Sequence, residues 1–389
     1  MPEMMTTQAG DPGAFTSFDL SRVPSPCFVV DAAKVEANLE ILKDVSDRSG
    51  AKVLAALKAF SMFSLAPLIG KYLAGTCASG IYEARLAREE YGGEVTTFCA
   101  GYKDSEIDEI IELSDQVIFN SVAQKDRYLA KCQAAGVDVG LRINPEYSVG
   151  EVPKYDPAAQ FSRLGVPISQ LTPEAMQGVN GIHMHTLCEQ GVQPLMHVWS
   201  AIEFKLLPYF KQLKWLNFGG GHHITRADYD RDVLIQLIKD IGDKYEIEVV
   251  LEPGEAIALD AGILVGEVLD TFINEKQIAI TDISATCHMP DVIEAPYRPA
   301  LLGEAQHGTT YRLGGPSCLA GDVIGDYTWP KPLAVGQRFA FLDQAHYSMV
   351  KTNTFNGVPL PAIALWDSRT DELKIIREFS YADFKGRLS

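Results

Sequence analysis

Up to residue 262, short apolar runs alternate with stretches whose apolar positions follow helical spacing. The runs fall at 53–58, 75–79, 95–100, 116–120, 139–144, 181–186, 215–219 and 248–252. Most are apolar or small at nearly every position, the pattern of a strand covered on both faces. The helical stretches include Ala32–Ser49, with Val35, Leu39, Ile41 and Leu42 at helical spacing, and 81–91, 104–113, 124–135, 198–212 and 229–245. Eight strand–helix units in succession predict a parallel (β/α)8 barrel of the TIM type. A doubly wound open sheet is the alternative, but it usually carries an early GxGxxG turn, and the sequence has none.

Beyond Gly262 the alternation stops. Stretches 263–274, 277–282, 308–313, 337–342 and 373–379 read as strands separated by Gly, Pro and Asp-rich turns. They predict a second, all-β domain, a sandwich or barrel. A further strand ends at Asp31, which is placed to cap the helix that follows. Assigning that strand to the second domain makes the domain discontinuous. The expected layout is a loosely ordered extension over 1–18, a barrel over 32–262, and a β-domain from 19–31 plus 263–389.

Composition narrows the setting. At 389 residues and 47% hydrophobic content the chain has ample material for a large core. No apolar run is long enough to span a bilayer, and the N-terminus lacks the basic-then-apolar order of a signal peptide. Seven cysteines without a CxxC pair argue against a disulfide framework or a structural zinc site, so a cytoplasmic protein with no metal is expected. A net charge of −17 disfavours nucleic acid and anionic membranes as partners and suits a cationic substrate. Solubility alone also explains an acidic chain.

The carboxyl ends of barrel strands form the active face of such folds. Here they carry Lys58, Arg142, Asn144, His183, His185, Gly219, Gly220, Gly221, Glu252 and Glu255. Taken singly, most have a plain reading. A lone strand-end lysine usually reaches solvent, three glycines are as often a loop, Glu252 suits a helix cap, and His183 suits a satisfied core histidine. Taken together they have a chemical reading. A lysine among apolar residues has a lowered pKa and becomes nucleophilic, as a Schiff base with an aldehyde requires. Successive glycines let backbone N–H groups approach a phosphate. A fixed carboxylate holds a pyridine nitrogen protonated, and His185 is placed to stack on an aromatic ring. Lysine, glycine loop and acid point to pyridoxal 5′-phosphate.

On these residues the sequence resembles the fold type III pyridoxal-phosphate decarboxylases, the alanine-racemase-like barrel family that includes ornithine and diaminopimelate decarboxylases. The likeness runs from about Pro26 to near the C-terminus. Ala-Leu-Lys-Ala at 56–59 is similar to the family's Schiff-base motif, His-Thr-Leu-Cys at 185–188 to its His-x-x-Ser segment, Asn-Phe-Gly-Gly-Gly at 217–221 to its phosphate loop, and Glu-Pro-Gly at 252–254 to its pyridinium-binding acid. Residues 314–322 resemble the segment carrying a catalytic cysteine, here Cys318, and 345–349 the segment whose tyrosine, here Tyr347, reaches the cofactor phosphate. The resemblance implies cofactor binding by Lys58, Arg142, His185, Gly219, Gly220, Gly221, Glu252 and Tyr347. It also implies a homodimer in which one subunit's Cys318 completes the site around the other's Lys58.

Two departures stand out. Glu255 replaces an arginine usual after Glu-Pro-Gly, and Thr76 replaces an aspartate usual before Cys-Ala-Ser. These departures, with residues 181–189 and 352–361, are similar to the branch that decarboxylates carboxynorspermidine and carboxyspermidine. That branch implies a small cationic carboxy-polyamine substrate, with Glu255, Asp291 and Asp322 as substrate-binding acids. A diaminopimelate or other basic amino-acid decarboxylase is the alternative within the class. A non-catalytic regulator on the same fold is the alternative outside it, and Lys58 with Cys318 argue against that. A racemase would need a tyrosine base where Cys318 is the better candidate.

Overall fold

The computed structural model describes residues 10–150 and 153–389. After β1 (Cys27–Asp31) and α1 (Ala32–Ser49), the expected strands form in order: β2 (Lys52–Ala56), β3 (Gly75–Ala78), β4 (Glu94–Phe98), β5 (Gln116–Phe119) and β6 (Asp138–Asn144). A two-residue strand, β7 (Val166–Pro167), pairs only with the end of β6. Then come β8 (Gly181–His183), β9 (Trp215–Asn217) and β10 (Glu248–Leu251). Apart from β7, these strands pair in parallel in chain order, and β10 returns to β2, closing an eight-stranded barrel. The helices α2 (Ala66–Tyr72), α3 (Ile81–Leu86), α4 (Ile107–Leu113), α5 (Val122–Ala135), α6 (Val192–Leu206) and α7 (Arg231–Tyr245) lie between the strands in sequence. The open-sheet alternative is thereby excluded.

Strand burial explains the apolar runs. Every residue of β5, β8 and β9 is buried. Leu54, Ile118, Trp215 and Val250, from four strands around the ring, pack together with Phe98 beside them. Trp215 pairs in register with Gly181, which pairs with Gly140. A Cβ at Gly181 would lie 2.0 Å from the indole, and one at Gly140 2.5 Å. The two glycines therefore make room for one tryptophan across three neighbouring strands. The helix expected at 198–212 is displaced: α6 starts earlier, with Pro194 in its first turn, and Pro208 follows its end.

The chain divides into two compact units, Glu36–Ile257 and the remainder, which comprises residues through Val35 with Ala258–Ser389. The second unit is built on one mixed sheet. Its strands are β11 (Gly262–Asn274), β12 (Lys276–Thr281), β13 (Thr309–Gly314), β14 (Val323–Trp329), β15 (Arg338–Leu342), β16 (Ala362–Asp367) and β17 (Glu372–Arg377). The order is β14-β13-β12-β11-β1-β16-β17, with β15 also on β11. The N-terminal strand β1 is thus an inner strand, antiparallel to β11 and parallel to β16. Asp31 caps α1 as expected: its Oδ1 accepts from the N–H of Ala33 at 3.0 Å and that of Ser368 at 3.1 Å.

The expected loose extension needs correction over its described part, 10–18. Phe15 and Phe18 are buried, with ring centroids 5.3 and 4.9 Å from that of Trp366. Two aromatic residues four positions or fewer apart give this segment enough apolar area to stay packed. Residues 1–9 lie outside the described part. Among the described residues no helix is long and apolar enough to cross a membrane.

Candidate active site

The barrel strands deliver the predicted residues to one mouth. Lys58 lies two residues past β2, Arg142 is in β6, His183 ends β8 and His185 follows it. Gly219, Gly220 and Gly221 follow β9, Glu252 follows β10, and Glu255 opens the short helix α8 (Glu255–Ala258).

Glu252 is the hub. Its Oε1 accepts from Asn217 Nδ2 at 2.7 Å, and its Oε2 lies 3.2 Å from His183 Nε2. Burial opposes its charge, but His183, Asn217 and Lys58 outweigh that and hold the carboxyl below its usual range, so it is ionised. His183 is kept neutral by burial and stacks on Phe98 at 5.5 Å. The other side of this group is Arg142, whose guanidinium lies 4.5 Å from the Phe98 centroid and is pulled down to about 10 by burial. Lys58 is accessible, yet it sits deep among protein atoms. Burial first, and the Arg142 charge with it, lower its amine below the usual lysine range against the opposing pull of Cys77, Glu252 and Glu83. A lowered amine has a larger neutral, nucleophilic fraction at neutral pH.

The glycine loop is held by the same network. Gly219 donates its N–H to Asn217 Oδ1 at 2.7 Å, Gly220 donates to His185 Nδ1 at 3.0 Å, and Glu252 donates its N–H to the Gly219 carbonyl at 2.8 Å. Burial and the neighbouring Lys58 push His185 well below its usual range, so its ring is neutral with the proton on Nε2. Side chains have no room here. A Cβ at Gly220 would lie 2.3 Å from the Glu252 carbonyl oxygen, and one at Gly221 (φ +82°) 1.9 Å from that of Leu187. The loop differs from expectation in one respect: two of its three glycine N–H groups are already engaged by Asn217 and His185. The N–H groups of Gly221 and His222 make no hydrogen bond among the described residues.

The remaining predicted residues lie in the second unit. Cys318 is exposed, and its N–H donates to Asn356 Oδ1 at 2.8 Å. Tyr347 is half-buried in the turn after β15. Two of the acids expected to bind substrate have protein partners in this unit. Asp322, expected to bind substrate, is buried and accepts from Ser317 Oγ (2.6 Å), Ser284 Oγ (2.8 Å), Thr286 N–H (3.2 Å) and Ser317 N–H (3.3 Å). Its carboxylate organises the loop that carries Cys318. Asp291, expected to meet a substrate cation, accepts from Lys351 Nζ at 2.7 and 2.9 Å, which cancels its charge.

Sequence reasoning missed Phe98, Cys77 and the pairing of His223 with Glu255 at 3.4 Å. Phe98 carried no signal, since an aromatic residue ending a buried strand reads as core. Cys77 stays a thiol, pushed well above its usual range by burial and then by Glu252. The barrel residues fit pyridoxal 5′-phosphate: an ionised acid for a pyridine nitrogen, a loop too tight for any Cβ facing a phosphate, and an amine of lowered pKa.

Comparison with known proteins agrees. Residues 27–345 match the family described as pyridoxal-dependent decarboxylase, C-terminal sheet domain. The carboxynorspermidine/carboxyspermidine decarboxylase of Campylobacter jejuni is 40% identical over 380 residues, 94% of this chain and 99% of the relative. The carboxyaminopropylagmatine decarboxylase of Synechocystis is 42% identical over 374 residues, 95% of this chain and 96% of the relative. The crystal structure of a C. jejuni carboxynorspermidine decarboxylase complexed with norspermidine superposes with a TM-score of 0.87 at 40% identity, covering 94% of this chain and 100% of that one. The chain therefore belongs to the pyridoxal-dependent decarboxylase family and is a decarboxylase that uses pyridoxal 5′-phosphate.

Proposed function

We propose that this enzyme decarboxylates carboxynorspermidine and carboxyspermidine, releasing norspermidine or spermidine. The observation that carries the reading is Glu255, a buried carboxylate at the barrel mouth whose Oε2 lies 3.4 Å from His223 Nε2. A negative group there attracts an aminopropyl or aminobutyl arm and repels the distal carboxylate of diaminopimelate. The C. jejuni relative's name points the same way. A second reading comes from the Synechocystis relative: carboxyaminopropylagmatine also carries a cationic arm, ending in a guanidinium.

Bound pyridoxal 5′-phosphate supplies an electron sink for the pair left behind as CO2 departs. Lys58 provides the amine for covalent attachment. Glu252 would keep a proton at the ring nitrogen, His185 would stack on the ring, and Gly221 with its neighbours, Arg142 and Tyr347 would hold the phosphate. Cys318 keeps a proton for the substrate α-carbon. Its exposure suits a thiol that serves a neighbouring subunit's barrel in a cytoplasmic homodimer. Asp322 and Asp291 act in this scheme through loop structure.

Incubation of purified enzyme with carboxynorspermidine or carboxyspermidine should release CO2 and the triamine in equal amounts. Lys58→Ala should release neither and lose the covalent cofactor absorbance. Normal turnover by that variant contradicts the role of Lys58, and no CO2 from either substrate with wild type contradicts the function.

A further inference from the structure

Strand packing does not ask for Asn217. It ends β9 after Trp215 and Leu216 and is fully buried. Asparagine is depleted in strands, and a carboxamide is costly to bury unless it is paired. In register, Asn217 stands between His183 on β8 and Val250 on β10, one residue row below the barrel mouth. There its oxygen and its nitrogen are both paired, to two different parts of the site. Nδ2 donates to Glu252 Oε1 at 2.7 Å, and Oδ1 accepts from the Gly219 N–H at 2.7 Å. The partners fix the orientation of the group: only its nitrogen can donate to a carboxylate, and only its oxygen can accept from an N–H. The Glu252 N–H donates to the Gly219 carbonyl at 2.8 Å, which closes a ring of three hydrogen bonds through Asn217, Gly219 and Glu252.

We propose that Asn217 is a positioning residue that couples the two ends of the cofactor site, setting the glycine loop for the phosphate with the same carboxamide that orients Glu252 toward the ring nitrogen. This rests on the reading of Glu252 as the ring-nitrogen acid.

The ring of bonds occupies both backbone groups of Gly219, and His185 Nδ1 occupies the N–H of Gly220 at 3.0 Å. The donors left to the loop are the N–H groups of Gly221 and His222, which make no hydrogen bond among the described residues. Asn217 therefore decides which donors the loop offers to an anion. At the other end it helps Glu252 keep its charge. Burial opposes ionisation of that carboxyl, and His183, Asn217 and Lys58 overcome it. His183 serves as an internal control. It holds the other carboxylate oxygen at 3.2 Å, but its Nδ1 has no hydrogen-bond partner among the described residues, so it is not tied to the loop.

The test is nitrogen and phosphorus magnetic resonance of the holoenzyme, with the cofactor isotope-labelled at its ring nitrogen. Asn217→Leu should bind the cofactor about tenfold more weakly and move both signals, the nitrogen toward its unprotonated position and the phosphorus toward that of free cofactor. His183→Phe should move the nitrogen signal alone. Asn217→Ser, whose hydroxyl is too short to reach both partners, should repeat the double shift, and it carries the test if circular dichroism shows the leucine variant unfolded. Wild-type signals in the folded Asn217 variants, or movement of one signal only, overturn the coupling. A phosphorus shift in His183→Phe as large as in the Asn217 variants also overturns it, because the loop would then follow Glu252 without Asn217. Glu252→Gln separates this proposal from the reading beneath it. An unmoved nitrogen signal in that variant overturns the role of Glu252 and the coupling together, whereas a moved signal there beside wild-type signals in the Asn217 variants overturns the coupling alone.

Discussion

Gly221 has no space for a methyl group and sits at φ +82°. Gly221→Ala should weaken cofactor binding at least about tenfold, since left-handed strain alone costs about 1–2 kcal/mol, measured by the cofactor retained after dialysis. Asp322→Ala leaves four donors without their acceptor, two on Ser317 in the Cys318 loop and one each on Ser284 and Thr286. It should cost about 2–4 kcal/mol in chemical denaturation, and it should lower activity through the loop. At this scale, residues whose type is chemically loaded were legible: Lys58, Glu252 and the three glycines are odd choices for strand ends unless chemistry needs them. Residues whose role is decided by a distant partner were not. Nothing in the sequence shows that Ser284 and Ser317 converge on Asp322, that Lys351 neutralises Asp291, or that His223 meets Glu255.

Elements were legible where burial is two-sided. The barrel strands appear as unbroken apolar runs because parallel strands in a barrel have no solvent face. In the sheet unit, β14 and β16 escaped notice. β14 contains Gly325 and Asp326 within Val-Ile-Gly-Asp-Tyr-Thr-Trp, and β16 alternates buried and half-buried positions over only six residues. Packing between elements gives two predictions. Gly181→Ala places a methyl group against the Trp215 indole and should destabilise the enzyme by about 1–3 kcal/mol in denaturant unfolding, more than a substitution on an exposed helix face. Phe15→Ala removes a buried ring from the cluster around Trp366 and should cost about 3–5 kcal/mol. An unchanged denaturation midpoint for Phe15→Ala would show that 10–18 is the loose extension its composition suggests.

For the whole molecule, the residue pattern told a barrel from a sheet unit, whereas the shared site of a homodimer was implied only by the family resemblance. Sharing can be read by complementation. If Cys318 serves the partner's barrel, mixing Lys58→Ala and Cys318→Ala subunits restores one intact site per heterodimer, about a quarter of wild-type activity for random pairing. If each chain builds its own site, mixing restores nothing. The central claim, that an acidic barrel mouth selects a carboxylated polyamine, is tested most directly by kcat/KM for carboxynorspermidine and carboxyspermidine against diaminopimelate on one enzyme preparation. Like charges facing each other cost several kcal/mol, so the account predicts a preference of at least about a hundredfold for the polyamine substrates. Equal or better use of diaminopimelate would contradict it.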